Sequence, residues 1–114
     1  MKKEYRILKN YEFAEIIQHR DIVKCPSFIC YYELRKQEHA RVGISVGKKI
    51  GNAVVRNKVK RQVRSMVDSL YSFDENYDII IIVRPLYLKK TYSENLDEIS
   101  KVKKRIEKRI ASAK

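Results

Sequence analysis

Little in this sequence could staple, divide or anchor the chain. Cys25 and Cys30 are its only cysteines, too few for a disulfide scaffold, and their spacing misses the Cys-x-x-Cys pattern of zinc and redox sites. They read as free thiols in a reducing compartment. Three glycines and two prolines leave no flexible linker, and no internal repeat or low-complexity stretch interrupts the chain, so one domain over residues 1–114 is expected. No apolar run approaches the ~20 residues of a membrane span. The basic start, Met1 to Lys9, is not followed by an apolar stretch that could serve as a signal peptide. A cytoplasmic protein with no membrane partner is the expectation. His19 and His39 have no Cys or acid at ligand spacing and read as ordinary surface histidines rather than a zinc site. Asp68, Asp74, Glu75 and Asp78 straddle a helix end and a loop, without the spacing of a nuclease metal site. Gly43, Gly47 and Gly51 lack the Lys-Ser or Lys-Thr ending of a phosphate loop, so turn and backbone roles are expected for them.

Acid is also scarce: 14 Asp and Glu stand against 26 Lys and Arg, a formal charge of +12 with a pI near 9.8. The hydrophobic fraction of 44% excludes a disordered polycation, because that much apolar surface can offset the ordering entropy of one core. Surface scaling predicts about 6,600 Å² left exposed on folding. A folded polycation calls for a polyanionic partner, and nucleic acid fits better than a membrane surface.

Hydrophobic spacing gives the element order α, β, β, α, β, α. Phe13, Ile16 and Ile17 predict a helix over about Tyr11 to His19, capped by Asn10. Ser27 to Leu34 and Ala40 to Val46 read as strands, and the polar link Arg35 to His39 suits an antiparallel hairpin. Val55, Val59, Val63, Met66, Val67 and Leu70 share one side of a helix over Val54 to Tyr71. Asp78 to Arg84 reads as a strand buried on both faces inside a sheet and stopped by Pro85. Thr91 and Glu94 have capping-box spacing ahead of the stripe Leu96, Ile99, Val102, Ile106 and Ile110. A helix between strands crosses to a parallel neighbour, so the fold class is α+β: a two-layer sandwich with a mixed sheet and helices packed on it.

The segment Arg41 to Arg64, RVGISVGKKIGNAVVRNKVKRQVR, joins a strand, a glycine-containing turn and a helix, and carries eight basic residues and no acid. On the helix, Asn57, Lys60, Arg61 and Arg64 project within about 100° of one another, opposite the valine stripe, with Arg56 flanking the first turn. Arginines one turn apart can each grip a phosphate with two donors. Lys48 and Lys49 extend the strip, and the helix N-terminal amides near Asn52 to Val55 favour an anion. Solvation alone explains many basic helix faces, so charge by itself does not decide the function.

GNAVVRNKVKRQVR at Gly51 to Arg64, preceded by RVGISVGKK, closely resembles the signature of the bacterial ribonuclease P protein subunit, the so-called RNR motif. The resemblance takes in Tyr5 to Ile7, Asn10 to Phe13, Phe28 to Tyr31 and the isoleucine strand before Arg84, and weakens after Pro85. It implies a mostly antiparallel sheet of about four strands with three helices, a short extra strand before Ser27, and a left-handed βαβ crossover that general rules would not give. It implies a protein that does not itself cleave. Such a protein, a monomer within the ribonucleoprotein, binds a catalytic RNA and the 5′ leader of precursor tRNA, and assists Mg²⁺-dependent removal of the leader, the metal being held mainly by RNA. By the same resemblance, Lys49, Arg56, Asn57, Lys60, Arg61 and Arg64 contact the catalytic RNA. Phe13 and Tyr31 line a leader-binding cleft, in which Ile17 stands where many members have a second aromatic. Ordinary core packing is the competing account of Phe13 and Tyr31. The competing functions are a general or ribosomal RNA-binding module and a nuclease in its own right.

Overall fold

The apolar run YDIIIIV has no polar face to offer water, so it needs neighbours on both sides. A computed structural model, describing residues 1–19 and 21–113, places it inside a four-stranded sheet. The elements are α1 (Asn10–Gln18), β1 (Ile22–Lys24), β2 (Phe28–Leu34), β3 (Val42–Ser45), α2 (Ala53–Leu70), β4 (Tyr77–Val83) and α3 (Tyr92–Ser112). Strand order is β1-β2-β4-β3. β4 pairs antiparallel with β2 and parallel with β3, so the sheet is mixed and the β3–α2–β4 connection joins parallel neighbours. The exposed surface, 7072 Å², lies close to the value that chain length alone predicts.

Two expectations are corrected. The link from Arg35 to His39 does not close a hairpin: β4 inserts between β2 and β3, and the hairpin actually formed is β1–β2, in the register Val23 to Cys30. The reason is burial. β4 is apolar on both faces and gains most in the interior, and placing it there separates the two strands it divides. Asn10 is not a cap but the first residue of α1, whose N-cap, Lys9, makes no side-chain cap bond. At the other end of the chain the capping box forms as its spacing requires, with Thr91 Oγ1 accepting from Glu94 N–H and Glu94 Oε1 accepting from Thr91 N–H.

The sheet's two faces follow from strand parity. Phe28, Cys30 and Tyr32 of β2, Val42 of β3, and Tyr77, Ile79, Ile81 and Val83 of β4 meet the buried stripes of α2 (Val59, Val63, Met66, Val67) and α3 (Ile99, Val102, Ile106). The opposite face is covered by α1, which packs on β2 and β4. A buried polar clamp ties the β1–β2 turn to α3: the Ser27 hydroxyl donates to Asn95 Oδ1 at 2.6 Å, and Ser27 N–H donates to Glu98 Oε1 at 2.9 Å. Segment 6–7 lies along the β3 edge, with Ile7 N–H donating to Val42 O at 3.0 Å.

Candidate nucleic-acid interface

The approach to α2 is set by local backbone chemistry. Gly51 sits at φ 155°, a conformation side chains rarely adopt, and a Cβ there would lie 3.0 Å from the Val55 side chain. Asn52 then caps the helix, its Oδ1 accepting from Val55 N–H at 3.0 Å. One of the helix N-terminal amides is thereby taken by the protein's own cap rather than left for an anion. The preceding 3-10 turn, Lys48–Ile50, buries Ile50 and leaves Lys48 and Lys49 exposed.

Along α2, burial of the valine stripe aims Asn57, Lys60, Arg61 and Arg64 outward on one side. Asn57 and Arg61 are exposed, while Arg56, Lys60 and Arg64 are half-buried and lay their stems on the protein. Among the described residues, no carboxylate lies within ion-pair distance of Lys48, Lys49, Arg56, Lys58, Lys60, Arg61 or Arg64. The Arg56 Nε is buried without a hydrogen-bond partner. Arg41 behaves differently, although it belongs to the same run of charge. Its guanidinium pairs with Glu12 of α1 at 2.5 Å and with Asp78 at 3.6 Å, which makes it a tie between α1 and the sheet. Burial pushes the Asp78 carboxyl above its ordinary value, against the pull of the Arg41 amide and guanidinium.

Phe13, Ile17 and Tyr31 come together on the α1 face. With Ile82 they form the half-buried margin of a small cluster around Ile7, Ile16 and Ile80. The register stacks Tyr31, Ile80 and Gly43 in one row across the strands under α1, and Ile29, Ile82 and Ser45 in the next. Gly43 lets the Phe13 ring approach: a Cβ there would lie 2.8 Å from Phe13 Cζ. Of the turn and backbone roles expected for the glycines, Gly43 has a backbone one: close contact between a strand and a ring. Neither Gly43 nor Ile82 was legible as a cleft residue, since only strand register brings them beside Phe13.

The remaining chemical candidates disperse. Asp68 pairs with the N-terminal amine, and Glu75 accepts from the loop amides of Ser72 and Phe73. Among the described residues no group of three or more His, Cys, Asp or Glu could hold a metal ion. His19 is exposed, whereas His39 is half-buried with its ring edge-on to Tyr5 at 5.0 Å. Cys30 is buried and Cys25 half-buried, both free; burial pushes the Cys25 thiol up to about 11, so it is a poor nucleophile. No helix among the described residues is long and apolar enough to cross a membrane.

Fold and surface together define a small basic α+β domain with an unpaired cationic helix in one layer and a half-open aromatic cleft on the other side of the sheet. The family model described as Ribonuclease P matches residues 1–107. A curated relative, the ribonuclease P protein component of Mesoplasma florum, is 42% identical over 104 residues, covering 90% of this chain and 94% of its own. The solved structure of the Staphylococcus aureus RNase P protein is 37% identical, covers 90% of this chain and 94% of its own, and superposes with a TM-score of 0.81. A mutant of that protein, described as having defective mRNA degradation activity, has a TM-score of 0.84 at the same identity, over 92% of this chain and 90% of its own. The chain belongs to the ribonuclease P protein family. It is thereby assigned to ribonuclease P, an endoribonuclease of tRNA processing, as the partner of an RNA subunit.

Proposed function

We propose that this chain, acting as a single RNA-binding domain, holds the catalytic RNA on α2 and the 5′ leader of precursor tRNA in the α1 cleft, while the RNA performs the Mg²⁺-dependent cleavage. The observation that carries this reading is the unpaired cationic face of α2. Arg41 and Lys90 elsewhere are matched to carboxylates, whereas among the described residues Arg56, Lys60, Arg61 and Arg64 have no such partner and lie together on one helix. Turns of three and four residues separate their side chains by about 4.5 to 6 Å along the axis, a spacing suited to consecutive phosphates. Each guanidinium can offer paired donors, with Asn57 between them able to donate and accept. Lys49 extends the strip from the preceding turn.

In the cleft, the half-open rings of Phe13 and Tyr31 can stack on leader bases, with Ile17 offering apolar contact without a ring face. The chain supplies binding and orientation. Among the described residues no group of three or more His, Cys, Asp or Glu could hold a metal ion, and the Mg²⁺ belongs with the RNA. The protein acts as a monomer within the ribonucleoprotein, in the cytoplasm.

Reconstitution at low magnesium tests the reading. Adding the protein to ribonuclease P RNA should raise cleavage of precursor tRNA, and the protein should assemble preferentially with that RNA. Equal affinity for unrelated RNAs with no gain in processing would favour a general RNA-binding module and overturn the proposal. Degradation of mRNA, suggested by the description of the staphylococcal mutant, is examined in the same assay without the RNA subunit. We expect RNA-free protein to leave both precursor tRNA and mRNA intact; cleavage abolished by Asp74→Ala or Asp78→Ala would overturn that expectation.

A further inference from the structure

The C-terminal half of α3 carries a second cationic face that the reading above does not use. Lys101, Lys104, Arg105, Lys108 and Arg109 are all exposed, and at 100° per residue they span about 140° of the helix. Acid on this side ends at Glu98: Asp97 pairs with Lys101 at 2.9 Å and Glu98 with Lys90 at 2.8 Å. Glu107 projects elsewhere, accepting from Tyr77 Oη at 3.0 Å and from Lys103 at 2.7 Å. Cations near a helix C-terminus relieve the macrodipole, but only over the last turn. Lys104 and Arg105 lie about two turns before Ser112 and have no carboxylate partner among the described residues, so helix stability does not account for them, whereas Lys101 is committed to its i,i+4 pair with Asp97.

Orientation separates this face from α2. The Arg109 guanidinium donates to Ile22 O of β1 at 2.8 Å, which places that flank of α3 over the β1 edge, while α2 packs beside β3 at the other edge. Between the β1–β2 turn and α3 runs a groove of about 400 Å³, in which apolar Val23, Pro26 and Val102 meet cationic Lys24, Lys101 and Arg105. Glu98 also lines it, already held by Lys90 and by Ser27 N–H. Apolar surface beside Lys24 and Arg105, neither paired with a carboxylate among the described residues, suits the mixed character of a nucleotide, a base with its phosphate.

We propose that the outward face of α3 with this groove is a second RNA-binding surface, which takes a single strand by its phosphates independently of α2. Like the functional reading above, it concerns RNA, but it needs neither the catalytic RNA nor precursor tRNA, so the two can fail separately.

The test uses the full chain, a labelled unstructured uridine oligonucleotide and vesicles of anionic phosphatidylglycerol. The variant Lys104→Gln/Arg105→Gln/Lys108→Gln keeps helix propensity, and circular dichroism checks the fold. In both the wild-type and the Arg61→Gln/Arg64→Gln background it should weaken oligonucleotide binding by about ten-fold or more and lower the salt slope of log K by about 2, the sum for three single-strand phosphate contacts. A 4-thiouridine oligonucleotide should cross-link to the peptide containing Lys101 to Arg109. Unchanged affinity and slope in both backgrounds, or loss of vesicle binding with RNA binding intact, would overturn the proposal.

Discussion

On the face that α2 and α3 cover, 21 buried residues among those described form one continuous core; beneath α1 only Ile7, Ile16 and Ile80 of the described residues are buried in a cluster, ringed by four half-open apolar side chains. The same sheet supports both faces. Two long helices, one closed by a complete capping box, seal the first. A nine-residue helix without a side-chain cap covers only part of the second. Stability is therefore concentrated on one side, and the rings that could meet a ligand remain accessible on the other. Two ion pairs add to the packing of α1, the half-buried Arg41 with Glu12 and the solvent-exposed Lys36 with Glu15.

The largest expected effect breaks this comparison directly. Met66→Ala or Phe28→Ala removes a side chain with no exposed surface and should cost about 2 to 5 kcal/mol in denaturant unfolding. Ile17→Ala, on the half-open margin, should cost about 1 to 2 kcal/mol. Equal losses at the two sites would show that the α1 face is packed as firmly as the other.

Next come the rings. Phe13→Ala and Tyr31→Ala should each weaken binding of precursor tRNA to the reconstituted complex by about 1 to 3 kcal/mol, leave mature tRNA binding nearly unchanged, and cost less stability than a core truncation. If they instead lower the melting temperature as far as Phe28→Ala does, the rings are core and the cleft assignment fails. Gly43→Ala should act in the same direction by displacing the Phe13 ring, and Ile17→Phe should tighten precursor binding if the cleft admits a third ring.

On the helical side, Arg61→Ala should leave unfolding unchanged, and Arg64→Ala should cost only the packing of its half-buried stem. Each should lower the salt slope of log K for the catalytic RNA by about 0.7 to 0.9, one phosphate contact apiece. A titration showing the same slope as wild type would remove α2 from the interface.

The smallest effect concerns acid stability. Burial pushes the Glu98 carboxyl up, but Lys90 and Ser27 hold it on balance below its ordinary value of 4.5. A carboxylate with a depressed folded value stabilises the protein above 4.5, and that contribution is lost as pH falls through the lower folded value. Glu98→Gln should therefore lower the melting temperature at neutral pH and flatten its decline below about pH 4.5. An unaltered pH profile would show that the Ser27–Glu98–Lys90 clamp has no net electrostatic role.

The sequence by itself determined what depends on neighbours a few residues apart. The valine stripe and cationic arc of α2, the Thr91–Glu94 box and the buried character of β4 are properties of one turn or one strand, so spacing was enough to read them. The ends of α1 were less legible because Asn10 has the chemistry of a cap without the backbone position of one. Only the tertiary structure decided that β4 lies between β2 and β3, since strands choose partners across the chain according to what their faces must bury. From that choice follow the meeting of Phe13 with Gly43 and Tyr31, the diversion of Arg41 from the cationic run to Asp78 and Glu12, and the orientation of α3's basic face toward the β1 edge. Each joins residues far apart in sequence, and no local periodicity encodes which distant groups a folded sheet brings together.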